Sequence, residues 1–410
     1  MERLVILSDV KNNYYFSQVL SLMKGFHQVG VDCQLLDVTT ESLAERLEEL
    51  QPSIVFEINK TRNQWMGKIP REAVHIAWVQ DAWFFDEAKK GKSLHRNDAN
   101  FGGSELVYFL LHPRYFALEE RLDSFMAWGE LFAGVDEDVF SLQGQDAVVD
   151  GKASLCGYIP SPVSKWQSIW NETIVSGQNG RNVSVGYLIE RLTEYHKVSI
   201  SKHTTDDIHR IILNEVCQVL DRQVALEELM AIFGDHWLLL LLDTELPRIP
   251  DRYQLAKAAL NNGLDLDVYG PPQWLHWPEF KDSYRKNVSW PGQLAAIYGQ
   301  SQFNLHNGAF GMHSRVLESM AVGGAVFVNH SDHARGGDIH QHFSAGEDFI
   351  LYETGSIGDT IASWKGKRQK LREVGVAAAE KISGAHLWRH RAQQIMDDVT
   401  QLKCAISALD

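Results

Sequence analysis

No apolar run in the chain approaches the roughly 20 residues that span a bilayer. The longest, Trp237 to Leu242, reads as a buried helix segment. The first residues, Met-Glu-Arg-Leu-Val-Ile-Leu-Ser, lack the basic start, apolar stretch and small-residue cleavage site of a secretory signal. The chain is therefore expected in the cytoplasm, where triplets such as Asn171-Glu172-Thr173 carry no weight as glycosylation sites. Cysteines 33, 156, 217 and 404 show no paired spacing, which argues against a zinc site or a disulfide framework and makes them expected reduced core residues. Positive charge is in deficit, 39 Lys and Arg against 53 Asp and Glu, giving a net charge of −14 with the basic residues dispersed. A nucleic acid is thus not the expected partner, and a small ligand is. Also missing is G-x-G-x-x-G after the first strand-like run; Ser-Asp-Val-Lys-Asn-Asn stands there, which sets aside a nicotinamide-dependent oxidoreductase.

What is present is enough apolar sequence, 44% of 410 residues, for two cores. Runs at 4–10, 33–38, 53–58 and 73–80 are apolar on both faces and alternate with amphipathic helical stretches, the pattern of a parallel sheet covered on both sides. Such doubly wound sheets bind ligands at the carboxyl ends of their strands. Those ends carry Asp9 and Asn12, Glu57 and Asn59, and Asp81 and Trp83, polar groups suited to a polyol or another polar acceptor. Asp81 is the best placed acceptor-side base, with Glu57 and His112 behind it. Gly102 to Glu105 reads as an anion-friendly turn before a helix. A second α/β pattern begins near Ala153, is interrupted by a mostly helical stretch at about 162–246, and resumes with a helix from Pro250 to Asn261. The twelve tryptophans suit flat sugar faces as well as they suit core packing.

Between Leu266 and Tyr352 the pattern is more specific. A glycine-containing turn, Gly308 to Gly311, separates a buried strand from a helix starting near His313, so backbone N–H groups point at an anion and a diphosphate fits. Glu318 lies one turn on from Ser314, on a face able to turn toward the same place and take two ribose hydroxyls. Arg315, Arg248 and Arg252 supply permanent charge for phosphate oxygens. Two acidic triplets, Asp136-Glu137-Asp138 and Asp265-Leu266-Asp267, fit a metal-binding D-x-D formally, but one lies in a turn and the other runs into a buried strand. No metal and no cofactor are expected.

Asp-Val-Tyr-Gly (267–270), Gly-Gln-Leu-Ala-Ala-Ile-Tyr (292–298), Phe-Asn-Leu-His (303–306), Arg-Val-Leu-Glu-Ser-Met-Ala-Val-Gly-Gly (315–324) and Phe-Ser-Ala-Gly-Glu-Asp-Phe-Ile-Leu-Tyr (343–352) follow one another in an order that resembles the donor-binding half of group 1 glycosyltransferases, and among them the spore maturation protein B (CgeB)-like glycosyltransferases. Segments 52–62, 75–83 and 128–140 extend the resemblance into the first half. It implies the GT-B fold: two doubly wound Rossmann-like domains facing a cleft, at 1–150 and 151–384, a helical insertion in the second, and a terminal helix, 385–410, packing back on the first. It further implies sugar transfer from a nucleotide-diphosphate sugar to a glycan, protein or small-molecule acceptor, metal-independent and retaining. The donor would be held by Arg248, Arg252, Tyr269, Gly270, His306, Asn307, Gly311, Met312, His313, Ser314, Arg315 and Glu318, with Arg252, His313 and Asp81 in the chemistry. One departure stands out: many retaining members carry a glutamate eight positions before the ribose-binding one, where this chain has Phe310. His306, Asn307, His313 and Arg315 are the polar groups left around the sugar. A nucleotide-sugar epimerase of the same architecture and a noncatalytic nucleotide-sugar-binding partner protein fit the same residues.

Overall fold

The computed structural model describes residues 2–10, 13–39, 42–86, 91–116, 118–142, 148–178, 180–196, 205–233, 238–239, 241–288, 290–331 and 339–408. The chain divides into two compact units. Unit 1 comprises Met1–Asp138, Met312–Leu317 and Glu380–Asp410; unit 2 comprises Val139–Gly311 and Glu318–Ala379.

Unit 1 is built on β1 (Arg3–Ser8), α1 (Asn13–Gln28), β2 (Asp32–Asp37), α2 (Leu43–Leu50), β3 (Ile54–Ile58), β4 (Val74–Val79), the hairpin β5 (Trp83–Asp86) and β6 (Gly91–Leu94), β7 (Leu106–Phe109) and β8 (Ala127–Glu130). Its main sheet runs β2-β1-β3-β4-β7-β8 with every pairing parallel. Side chains alternate across the pleat. Leu4, Ile6, Ile54 and Phe56 pack on one face with α1 and the final helix of the chain, Trp388–Ser407, while Val5, Leu7 and Val55 pack on the other with α2 and Trp65. Each such side chain, buried completely, contributes about 1.5–3 kcal/mol, so a strand apolar on both faces is stable only when both are covered. The final helix docks through close backbone contact: Val135 N–H donates to His386 C=O at 2.9 Å and Trp388 N–H to Val135 C=O at 3.2 Å.

Unit 2 opens with β9 (Val149–Cys156). An insert follows, holding the hairpin β10 (Thr173–Ser176) and β11 (Asn182–Ser184), then α3 (Val185–His196), α4 (Thr205–Leu220) and α5 (Leu226–Phe233) around their own apolar core. The insert is therefore not wholly helical; the short valine-containing runs at 173–176 and 182–184 pair antiparallel across a turn. Leu238, Leu239, Leu241 and Leu242 are buried in that core, while Trp237 and Leu240 lie outside the described residues. A π-helical turn, Leu241–Glu245, runs directly into α6 (Leu246–Asn261), so this helix begins before Pro250 and carries that proline inside it.

The second sheet comprises β9, β12 (Asp265–Tyr269), β13 (Ser301–His306), β14 (Val326–Asn329) and β15 (Ile350–Tyr352) in the order β12-β9-β13-β14-β15, again all parallel. Between its strands lie α7 (Pro291–Gln300) and α8 (Ser314–Ala321); α9 (Ile357–Trp364), α10 (Arg368–Ala385) and α11, the final helix, complete the chain. One face of the sheet is apolar, with Ala153, Leu155, Leu266, Val268, Phe303, Leu305 and Phe327 against α6 and α9. The other is polar although equally buried: Ser154, Asp267, Gln302 and Asn304 are each at most 4% exposed. Burial of such groups is tolerated because they are bonded. Ser154 donates to Asn304 Oδ1 at 2.8 Å, and Lys152 and Arg285 each reach Asp267 at 2.5 Å.

Both sheets have a topological switch point. In the first, the chain steps from β1 to β2 on one side and then to β3 on the other; in the second it steps from β9 to β12 and then to β13. Neighbouring connections leave in opposite directions there, which opens a crevice at the carboxyl ends of the strands.

Candidate functional site

At the switch point of unit 2, β9 delivers Tyr158 and β13 delivers His306 and Asn307. Gly270 explains how the first is placed. Its Cα lies so close to the strand beside it that an added Cβ would stand 1.9 Å from the carbonyl oxygen of Gly157, and that carbonyl also accepts the Trp274 indole N–H at 2.9 Å. The Tyr158 ring then forms a platform for two guanidinium groups on α6, Arg252 at 4.7 Å and Arg248 at 5.4 Å from its centroid. Four residues apart, these arginines share one helix face. Arg252 also donates to the Tyr158 carbonyl; the Tyr158 hydroxyl donates to Glu245 at 2.8 Å, and Arg248 lies 3.6 Å from the same carboxylate. Stacking and hydrogen bonding hold the charges in fixed orientation, the arrangement that stabilises charge developing on a ligand.

Behind the arginines, Asp251 is 2% exposed and lies 3.5 Å from Asn307 Nδ2. Tyr352, at the end of β15, donates to the His306 carbonyl at 2.7 Å. Burial first, and then the charge of Asp251, pushes its phenol pKa well up, with Arg252 acting against both. Arg248, Arg252, Tyr158, Asp251, His306, Asn307 and Tyr352 thus form one neighbourhood. Gly308 to Gly311 continues from it into α8. Within that helix His313 caps the first turn, its carbonyl accepting Val316 N–H at 2.9 Å and its ring Nδ1 accepting Arg315 N–H at 3.2 Å. Met312 is fully buried; Ser314, Arg315 and Glu318 are half-buried on a helix whose Val316, Leu317 and Met320 are fully buried.

Tyr269 stands apart. Its hydroxyl turns back along β12 to Asp267 at 3.2 Å, and its pKa is pushed up to about 12 by burial, then by that carboxylate. The contact ties Tyr269 to the buried polar face rather than to the arginines, because residues two apart on a strand share a face.

In unit 1 the polar cluster is centred on Asn59, which sits after β3 with φ 62°. Asparagine tolerates this left-handed conformation better than most residues. Its Oδ1 accepts the N–H groups of Gln80 at 2.7 Å and Asp81 at 3.0 Å, and its Nδ2 donates to Asp81 Oδ2 at 3.2 Å and Tyr15 Oη at 2.9 Å. Tyr15, from the first turn of α1, donates to the same Asp81 oxygen. Asp81 itself is exposed, and its Oδ1 accepts no bond among the described residues. A hairpin rather than a helix follows it, so it caps nothing.

Other residues marked in the sequence are placed elsewhere. Glu57 is 6% exposed and accepts the Trp65 indole N–H, on the face opposite Ile54 and Phe56. Trp83 opens β5, and the His112 ring lies edge-on to Trp128 at 6.3 Å. Asp9 follows β1, and Asn12 lies outside the described residues. The turn at Gly102 to Glu105 leads into strand β7, not a helix, and its N–H groups are used internally, Gly102 on Thr61 Oγ1 at 2.9 Å and Gly103 on the Ser124 carbonyl. Both acidic triplets are engaged by basic groups: Asp136 and Asp138 by Lys24, Glu137 by Arg389, and Asp265 and Asp267 by Lys152. Cys33 is buried, its thiol pushed up to about 12 by burial, whereas Cys404 is exposed and is no core residue. Sequence reading missed Tyr15, Tyr158, Glu245, Asp251, Asn329 and Tyr352. Of these, Tyr158, Asn329 and Tyr352 stand at or just beyond a strand end, which is the one signal their positions gave.

Residues 251–397 match the family described as Glycosyl transferase-like. No curated protein sequence matches the chain. Among solved structures, sucrose-phosphate synthase from Thermosynechococcus elongatus aligns at 10% identity over 99% of this chain and 100% of the other, with a TM-score of 0.55. An α-glucosyltransferase in complex with UDP and a 13-mer DNA aligns at 9% identity over 98% and 100%, with a TM-score of 0.52. A glycosyltransferase from Rickettsia africae ESF-5 aligns at 10% identity over 98% of each chain, with a TM-score of 0.50. The two parallel-sheet units have the GT-B fold, and residues 251–397 carry a glycosyl transferase-like domain. No helix among the described residues is long and apolar enough to cross a membrane.

Proposed function

We propose that the protein transfers a sugar from a nucleoside diphosphate sugar to a hydroxyl of a polar acceptor, a glycan, protein or small molecule, with retention and without a divalent metal. The observation that carries the reading is the pair Arg248 and Arg252 fixed on the Tyr158 ring at the switch point of unit 2, beside Asn307 and the 308–311 turn. Two permanent cations at a crevice that opens onto backbone N–H groups suit a diphosphate. In this reading the arginines and the turn hold the phosphates, Glu318 takes the ribose hydroxyls, and His306, Asn307, His313 and Arg315 surround the sugar. The bond between the anomeric carbon and the β-phosphate oxygen breaks as the acceptor oxygen bonds to that carbon, and the acceptor proton passes to the departing phosphate. Arg252 stabilises the charge that builds on that leaving group. Asp81, fixed by Asn59 and Tyr15, orients the acceptor hydroxyl from unit 1. The CgeB-like grouping and the cytoplasmic setting belong to the same proposal.

The test is release of nucleoside diphosphate from a panel of nucleotide sugars, UDP-sugars first, in the presence of candidate acceptors. Arg252→Ala should lower turnover roughly 10²-fold. Asp81→Asn should raise the acceptor KM about tenfold, the loss of one charge-assisted hydrogen bond, and leave slow donor hydrolysis unchanged. Conversion of the donor's sugar with no acceptor consumed would instead identify an epimerase.

A further inference from the structure

Asn329, the last residue of β14, is 4% exposed and faces the turn that follows β13. Its side-chain amide makes two complementary bonds to one residue: Oδ1 accepts Gly308 N–H at 2.9 Å, and Nδ2 donates to the Gly308 carbonyl at 2.8 Å. Nδ2 also donates to the His330 carbonyl at 3.1 Å. The side chain thus does for Gly308 what a neighbouring strand does for a strand residue, one step beyond the point where β13 and β14 stop pairing at His306 and Val328. A second clasp follows, Ser331 Oγ donating to the Ala309 carbonyl. Beneath the turn the His306 ring lies so close that a Cβ on Gly308 would stand 2.8 Å from Nε2. With the Gly308 N–H and carbonyl both occupied, the backbone leaves the sheet in one orientation, and the N–H groups of Ala309 and Gly311 have no acceptor among the described residues.

We propose that Asn329 is a positioning residue for donor binding: its amide clasp on Gly308 presets the 308–311 turn so that the N–H groups beyond it meet the donor diphosphate. Asn329 touches no substrate in this role; it acts through the turn. The inference rests on the diphosphate reading of the preceding subsection, and its test separates the two.

The informative substitution is Asn329→Asp. It keeps the size of the side chain and the acceptor for Gly308 N–H, removes both donated bonds, and sets a carboxylate against the Gly308 carbonyl. Binding of the best nucleoside diphosphate and of the matching nucleoside is measured for wild type and variant, with thermal unfolding of each. The expected result is at least about a tenfold loss for the diphosphate, the equivalent of one hydrogen bond to a charged group, with nucleoside affinity changed less than about twofold. Lowering the pH toward protonation of the new carboxyl should recover part of the diphosphate affinity relative to wild type, because the acid form regains a donor. Equal losses for both ligands, or no loss for either, overturn the proposal and leave the donor reading standing. Failure of wild type to bind any nucleoside diphosphate overturns both. If Asn329→Asp does not fold, Asn329→Ser, which also breaks the paired clasp but adds no charge, is held to the same diphosphate-selective loss.

Discussion

His75 and His95 are fully buried, one bonded through Nδ1 to Ser104 at 2.9 Å, the other between the rings of Phe84 and Phe101. Burial lowers both pKa values to about 3, with the Arg62 charge adding to the effect at His75. An unfolded chain takes up these protons near pH 6.5, the folded one only near 3. The unfolded state therefore binds more protons across that window, and stability falls as pH drops through it, by about 1.4 kcal/mol per histidine per pH unit. His95→Leu should make the fall in unfolding free energy between pH 6.5 and 5 smaller by roughly 2 kcal/mol, read from urea midpoints at the two pH values. An unchanged fall would mean His95 is not held neutral. At this scale the sequence revealed residue types but not partners. Asp81 and Arg252 are readable as chemistry because one follows a strand end and the other stands four residues after a second arginine on a helix. Tyr15, Tyr158 and Asn329, which hold them or their neighbouring turn in place, are ordinary polar residues whose roles arise from contacts across strands distant in the chain.

Elements were legible where their pattern was extreme. Strands β1, β3 and β4 are apolar on both faces, and only a parallel sheet covered on both sides uses such strands, so the first unit could be read directly. The polar face of the second sheet could not, because Ser154 and Asn304 look like exposed residues until their mutual bond is seen. Nor could the hairpin in the insert, whose strands are too short to show a period. Docking of α11 shows how closely elements approach. A Cβ on Gly25 of α1 would lie 2.6 Å from the carbonyl oxygen of Trp388, and one on Gly134 equally near its Cα. Backbone atoms cannot rotate away, so Gly25→Ala should cost about 1–3 kcal/mol of stability, measured as a lower denaturant midpoint. Wild-type stability in that variant would show that the helices can separate without loss.

At the scale of the molecule, each sheet places a polar cluster at its own switch point, and the two differ in charge. Unit 1 offers an oriented carboxylate, Asp81, steadied by an amide and a phenol; unit 2 offers two arginines on an aromatic platform. The proposed function rests on that contrast, giving acceptor handling to the carboxylate and diphosphate binding to the arginines. Topology forces the location, since only there do neighbouring connections diverge, while the chemistry comes from residues that alternation alone does not mark. The most direct measurement is calorimetric titration of nucleoside diphosphates and their sugars into wild type, Arg252→Ala and Glu318→Ala, in EDTA. One nucleotide should bind wild type without metal, and each substitution should weaken it by roughly 1–3 kcal/mol, as loss of charge-assisted hydrogen bonds does. Binding that appears only when a divalent cation is supplied, or that survives both substitutions unchanged, would contradict the assignment.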